Sequence, residues 1–201
     1  MKGLIFIPDI SGFTNFVCMV PPEAGAAITR ELLNEIIDHS PSELMLAEVE
    51  GDALLFYKFG EPYPITAILD SFEKIARAFS LKFRSLKLLY NIPVNLSIKF
   101  ILHYGEIDVY TVKSFEKLYG RAIVESHRLL KNNFKGTDYL LITEDYLRAC
   151  ELNPYTSGTF FNRPQKVTKH LRDLRDINYY FYMPATDAAN TLAVSSNAAA
   201  C

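Results

Sequence analysis

The segment FIPDISGFTNF, Phe6 to Phe16, constrains this chain more than any other stretch of it. Leu4-Ile5-Phe6-Ile7 is an apolar run of strand length, Asp9 stands where that strand ends, and Ser11-Gly12 opens a helix through Thr14 and Phe16. A carboxylate at the end of a strand then lies beside free helix N–H groups. Such a pairing suits a bound metal and a phosphate, because Asp supplies a hard oxygen ligand and the helix start offers donors and a positive dipole end. A plain helix-capping role for Asp9 satisfies the same local pattern.

The bulk properties narrow the class. A chain of 201 residues suits one domain with a well-buried core, and a hydrophobic content of 49% against 22% charged residues describes a globular protein. The net charge of -2 gives no support to a nucleic-acid partner, whose footprint is a basic excess. Cys18, Cys150 and Cys201 are odd in number and far apart, so they indicate neither a disulfide framework nor a zinc site, and the cytoplasm is the expected location. The apolar start is short and broken by Pro8 and Asp9, which argues against a signal peptide. Nothing approaches the roughly 18 apolar residues of a membrane span, so no membrane partner is expected. Residues 1–184 are expected to form a single domain. Beyond Pro184 the composition turns to Ala, Ser, Asn and Thr, and residues 185–201 are expected to be a flexible tail.

Along the chain, Gly12 to Met19 reads as a short helix and Glu23 to His39 as a longer one, with Ile28, Leu32, Leu33, Ile36 and Ile37 at helical spacing. Leu44–Val49 and Ala53–Phe59 read as strands about a tight turn at Glu50-Gly51. A long amphipathic helix is expected from Ile65 to Leu89, its Lys and Arg residues forming a solvated face. From Val94 to Val112 the pattern is a strand, a kink at Gly105 and a second strand, and a helix follows, starting near Tyr119-Gly120 and running to about Asn132. Tyr139–Ile142 reads as a buried strand, and Thr143 caps a short helix reaching Cys150. Two last strands are expected around Gly158–Asn162 and Asn178–Met183, separated by a basic segment from Arg163 to Arg175.

Glu48, Glu50 and Asp52 place three carboxylates at one hairpin tip, where their repulsion needs a cation or a basic group to offset it. If that hairpin lies beside the first strand, Asp9 and Asp52 face each other across neighbouring strands and can hold one or two magnesium ions with a nucleotide's phosphates. A solvent-exposed acidic turn fits the hairpin taken alone. His103 reads as a satisfied core or rim histidine, and Arg121 with Glu125 as an i,i+4 surface pair.

Asp9-Ile10-Ser11-Gly12-Phe13-Thr14, Glu50-Gly51-Asp52, His103-Tyr104-Gly105-Glu106 and Tyr119-Gly120 through Arg128 follow one another in an order and spacing that resembles the class III nucleotidyl cyclase catalytic domain. The likeness covers most of residues 3–150 and is nearest to a group of short bacterial cyclase-like proteins. It implies an α/β (α+β) sandwich of ferredoxin-like type, with a mostly antiparallel central sheet and helices packed on it. It also implies a homodimer with active sites between subunits, and conversion of a nucleoside triphosphate to a cyclic 3',5'-nucleotide and pyrophosphate. Two divalent ions, Mg2+ or Mn2+, would be bound by Asp9, Asp52 and the carbonyl of Ile10. Phosphates would lie on the amides of Ser11, Gly12, Phe13 and Thr14, and Arg128 would be the catalytic arginine.

Base recognition would fall to Glu48 and Lys117. Glu48 favours guanine, because a carboxylate accepts from its ring N–H and exocyclic amine. Lys117 agrees with neither purine pattern of the family; pairing with Glu48 is its other expected role. Val124 stands where the family places a transition-state Asn, and losing one such hydrogen bond costs on the order of 10²-fold in rate. The likeness therefore carries two readings, a working cyclase or a degenerate homologue that binds nucleotide, metal or a protein partner without turnover. Lys166 and Lys169 are the candidates for a further phosphate-contacting lysine near the last strands.

Overall fold

The first strand is buried on both faces, which is why its apolar run is unbroken rather than alternating. The computed structural model describes residues 1–132, 134, 136–156, 161 and 164–183. In chain order the elements are β1 (Lys2–Ser11), α1 (Phe13–Met19), α2 (Pro22–His39), β2 (Met45–Glu50), β3 (Ala53–Phe59), α3 (Ile65–Tyr90) and β4 (Ser97–Glu106). They continue with β5 (Asp108–Val112), β6 (Phe115–Tyr119), α4 (Arg121–Leu130), β7 (Tyr139–Thr143), α5 (Glu144–Ala149), β8 (Val167–His170) and β9 (Asp176–Tyr182). Seven strands form one sheet in the order β2-β3-β1-β4-β7-β9-β8, antiparallel throughout except for the parallel pair β4–β7. The expected mixed α+β architecture, a large mostly antiparallel sheet with helices on it, is the one observed.

Strand periodicity divides the core in two. Leu4, Phe6, Phe56, Phe100 and Leu102 face α2 and α3, which bury Ile28, Leu32, Ile36, Phe72, Ile75 and Phe79 against them. Phe100 sits between Phe6, with ring centroids 5.5 Å apart, and Phe72, at 4.9 Å and nearly perpendicular. Burying each ring contributes roughly 1.5–3 kcal/mol relative to exposing it. Ile5, Ile7, Leu55, Tyr57, Ile101 and Leu141 face the other way, where α4 covers part of the sheet with Ala122 and Leu129. The separate β5–β6 ribbon adds Leu118. This second face carries the polar groups described below.

Three expectations are corrected. The helix expected from Tyr119-Gly120 begins there, but an unforeseen strand, β6, precedes it and pairs with β5 around a turn in which Lys113 has φ +55°. Tyr110, Val112, Phe115 and Tyr119 are all exposed, so this ribbon lacks the one-sided alternation that marks a half-buried strand. The basic segment between the last strands contains β8, whose pattern is polar because it is an edge strand with Thr168 and His170 exposed. Glu125, read as a surface partner of Arg121, is buried. The strand expected at Gly158–Asn162 lies, apart from Phe161, outside the described residues, as does the segment 185–201. Among the described residues no helix is long and apolar enough to cross a membrane.

Candidate functional site

The C-terminal end of β1 brings Asp9 onto the second sheet face, in the same alternation as Ile5 and Ile7. Its cross-strand neighbours are Ala53 on β3 and Lys99 on β4. Asp52 occupies the turn just before β3, and its carbonyl accepts a hydrogen bond from Ile10 N at 3.3 Å. Asp9 and Asp52 are thereby held side by side. Burial and then the neighbouring Asp9 carboxylate push the Asp52 carboxyl up to about 6, against the pull of Lys99. Lys99 Nζ lies 2.9 Å from Asp9 Oδ2.

Next to Asp9 the chain passes from Ser11 through Gly12 into α1. Gly12 has φ +90°, and a Cβ there would stand 2.9 Å from the carbonyl oxygen of Asn95. Glycine thus permits both the left-handed backbone and the close approach of the loop before β4. The amides of Ser11, Gly12, Phe13 and Thr14 follow Asp9 directly in the chain.

A bulge in β2 supplies the next group. The register with β3 shifts between Leu46 and Glu48, so that Glu48 lies opposite Leu55 and Glu50 opposite Ala53. The extra residue re-aims both glutamates onto the face that carries Asp9, where simple alternation from Leu46 would have turned Glu48 away. Glu48 meets Lys117 of β6 at 3.2 Å, and Glu50 approaches His127 of α4 at 3.9 Å. A hydrogen bond shared with Glu48, followed by burial, raises the Glu50 carboxyl above its ordinary range. The pairing of Lys117 with Glu48 is the alternative role foreseen for that lysine.

Helix α4 presents two different sides. Val124 and Arg128 are exposed, Val124 by 44%, and an Arg128 guanidinium N–H donates to the carbonyl of Arg172. Its inner side carries Glu125, 1% exposed, which accepts from Arg175 Nε at 2.7 Å and Nη2 at 2.9 Å and meets His103 Nε2 at 3.0 Å. Arg175 continues to both oxygens of Asp145 on α5, each at 3.0 Å, and His103 Nδ1 reaches Thr143 Oγ1 at 3.0 Å. Burial works to raise the Glu125 carboxyl, but the hydrogen bonds and charges of His103 and Arg175 overcome it and hold it at about 2. This network is an anchor for α4. His103 is therefore a satisfied core histidine, while the pair of Glu125 with Arg121, at 3.5 Å, is only the outer edge of the cluster.

Of the residues singled out from sequence, Asp9, Asp52, Ser11–Thr14, Glu48 and Lys117 gather at one end of the second sheet face. Arg128 points elsewhere in the single chain. Lys169 is drawn to the C-terminal carbonyls of α4, at 2.7 Å from Arg128 O, and Lys166 pairs with Glu144 at 3.3 Å. Lys99 and Arg175 were missed. The signal for Lys99 was present, since Lys99, Ile101 and His103 share one face of an otherwise apolar strand.

A family profile described as "Protein of unknown function (DUF2652)" matches residues 29–139, more than half of the chain. The chain belongs to that family. It is also 30% identical over 121 residues to a protein of Mycobacterium tuberculosis described as "Uncharacterized protein Rv2561/Rv2562". That match covers 57% of this chain and 56% of the relative, so the chain spans little more than half the relative's length. In fold it is similar to the adenylyl cyclase CyaB from P. aeruginosa, with a TM-score of 0.68 at 15% identity over 92% of this chain and 96% of that one. The guanylyl cyclase Cya2 gives 0.66 at 14% identity, covering 90% of this chain and 91% of the other. The guanylate cyclase domain of RhGC from Catenaria anguillulae, solved in complex with GTP, gives 0.59 at 15% identity over 90% and 96%. The fold of this DUF2652 member is thus that of adenylyl and guanylyl cyclase domains.

Proposed function

We propose that this chain is a metal-dependent nucleotidyl cyclase-like protein acting on a nucleoside triphosphate at the interface of a homodimer. The observation that carries the reading is the adjacency of Asp9 and Asp52 at a strand end that runs straight into the Ser11–Thr14 amides. Two carboxylates close enough for one to raise the other are a donor set that a hard divalent cation fits, since it relieves their repulsion. When bound, such an ion lowers the pKa of the ribose 3'-hydroxyl and clamps phosphate oxygens. Asp9, the carbonyl of Ile10 and Asp52 would hold it, and the Ser11, Gly12, Phe13 and Thr14 amides would orient the triphosphate. The 3'-oxygen forms its bond to the α-phosphorus, the bond to the bridging oxygen of the β-phosphate breaks, pyrophosphate leaves and the hydroxyl proton passes to water. Arg128 of the partner subunit would neutralise charge developing on the phosphates. Glu48 and Lys117 would border the base, with Glu48 accepting from it once Lys117 is displaced.

The test is incubation of purified protein with Mn2+ and each of the four ribonucleoside triphosphates. A cyclic product absent from the Asp9→Ala, Asp52→Ala double variant is expected. Product from neither protein, despite nucleotide binding that needs Asp52, would establish the second reading, a homologue that binds without turnover. That reading is favoured by one observation, Val124 on the exposed side of α4, where an aliphatic chain offers a ribose no hydrogen bond.

A further inference from the structure

Lys99 is not a surface lysine that has swung towards an acid. It lies on β4 between the fully buried Ile98 and Phe100, shares a face with Ile101 and His103, and its side chain is only 20% exposed. An ammonium in such a place pays a desolvation penalty that Met or Leu would avoid, so its position needs a compensating anion. Asp9 supplies one at 2.9 Å. The contact engages Asp9 Oδ2 and leaves the other oxygen for a metal. Two divalent ions would bring about four positive charges beside that of Lys99. Against them stand two carboxylates. Among the described residues no third His, Cys, Asp or Glu completes a metal-holding group with them.

We propose that Lys99 Nζ takes the place of one divalent ion, so that Asp9 and Asp52 hold a single ion beside a fixed protein ammonium. This rests on the metal-site reading given above and changes its stoichiometry from two ions to one. Lys99 acts as a positioning residue: it orients Asp9 and limits the positive charge that the pocket accepts.

The experiment counts Mn2+ bound by the purified full chain, with Mn2+ alone as the probe, using calorimetric titration and electron paramagnetic resonance. Wild type is expected to bind one Mn2+ per chain, lost in Asp52→Ala. Lys99→Met keeps the stem and removes the charge; it is expected to bind the first ion at least tenfold more tightly and to admit a second, with the broadened spectrum of a spin-coupled pair. Lys99→Arg, which retains the charge, is expected to stay at one ion, and it guards against a folding defect in the Met variant. Two Asp52-dependent ions in wild type overturn the proposal and leave the metal site standing. Lys99→Met with wild-type count and affinity overturns it as well. Absence of Asp52-dependent binding in wild type, Lys99→Met and Lys99→Arg alike overturns the metal-site reading itself, and the inference falls with it.

Discussion

Replacing Glu125 with Gln tests whether α4 is held by charge. The carboxylate is 1% exposed, takes two hydrogen bonds from Arg175 and one contact from His103, and titrates at about 2 when folded against an ordinary 4.5. A depressed acid pKa contributes stability that is complete above the unfolded value and is lost as pH falls towards the folded one. The difference corresponds to about 3 kcal/mol at pH 7 and to roughly half of that near pH 3. Glu125→Gln keeps the shape, removes the charge and leaves the half-buried Arg175 paired with Asp145 alone, so a loss of up to about 3 kcal/mol at neutral pH is expected. Urea unfolding of both proteins, followed by circular dichroism from pH 7 to pH 3, measures this. Wild type and variant should converge as the pH falls. A difference below about 0.5 kcal/mol at pH 7, or one that does not narrow with acid, would refute the argument that this network anchors the helix.

Three other perturbations address other parts of the framework. Asp52 holds its proton more tightly folded than unfolded, so its ionisation costs stability above about pH 6 and costs nothing below the ordinary carboxylate range. With a chelator present, Asp52→Asn should therefore raise stability by about 1 kcal/mol at pH 7.5 after allowance for solvent screening, and by nothing near pH 3, as read from thermal melts. Gly120 has φ +141°, and an added Cβ would stand 2.5 Å from the backbone oxygen of Glu106, so Gly120→Ala should cost about 2 kcal/mol or more and lower Tm by several degrees. Thr143 caps α5 through Tyr146 N, donates to Leu102 O at 3.2 Å and meets His103; Thr143→Val should cost about 2 kcal/mol in urea unfolding, and Thr143→Ser should recover most of it.

Much of the framework was legible in the sequence because it rests on local rules. The apolar run Leu4–Ile7 read directly as a buried strand, and it lies within β1. The spacing of Ile28, Leu32 and Ile36, and the capping of α5 by Thr143, also reappear as read. β6 and β8 were not legible, since exposed or edge strands carry no one-sided hydrophobic pattern.

By itself the sequence determined which residue types were present near the strand end and the hairpin tip, and that Leu4–Ile7 would be a buried strand. Tertiary structure alone decided their partners. A bulge of one residue turned Glu48 and Glu50 towards Asp9, antiparallel register set Lys99 against Asp9 from ninety residues away, and Arg175 reached back fifty residues to Glu125. Charge pairs of this kind have no periodicity of their own. Their energy depends on distance and burial, and both quantities come into being only when the strands have taken their register.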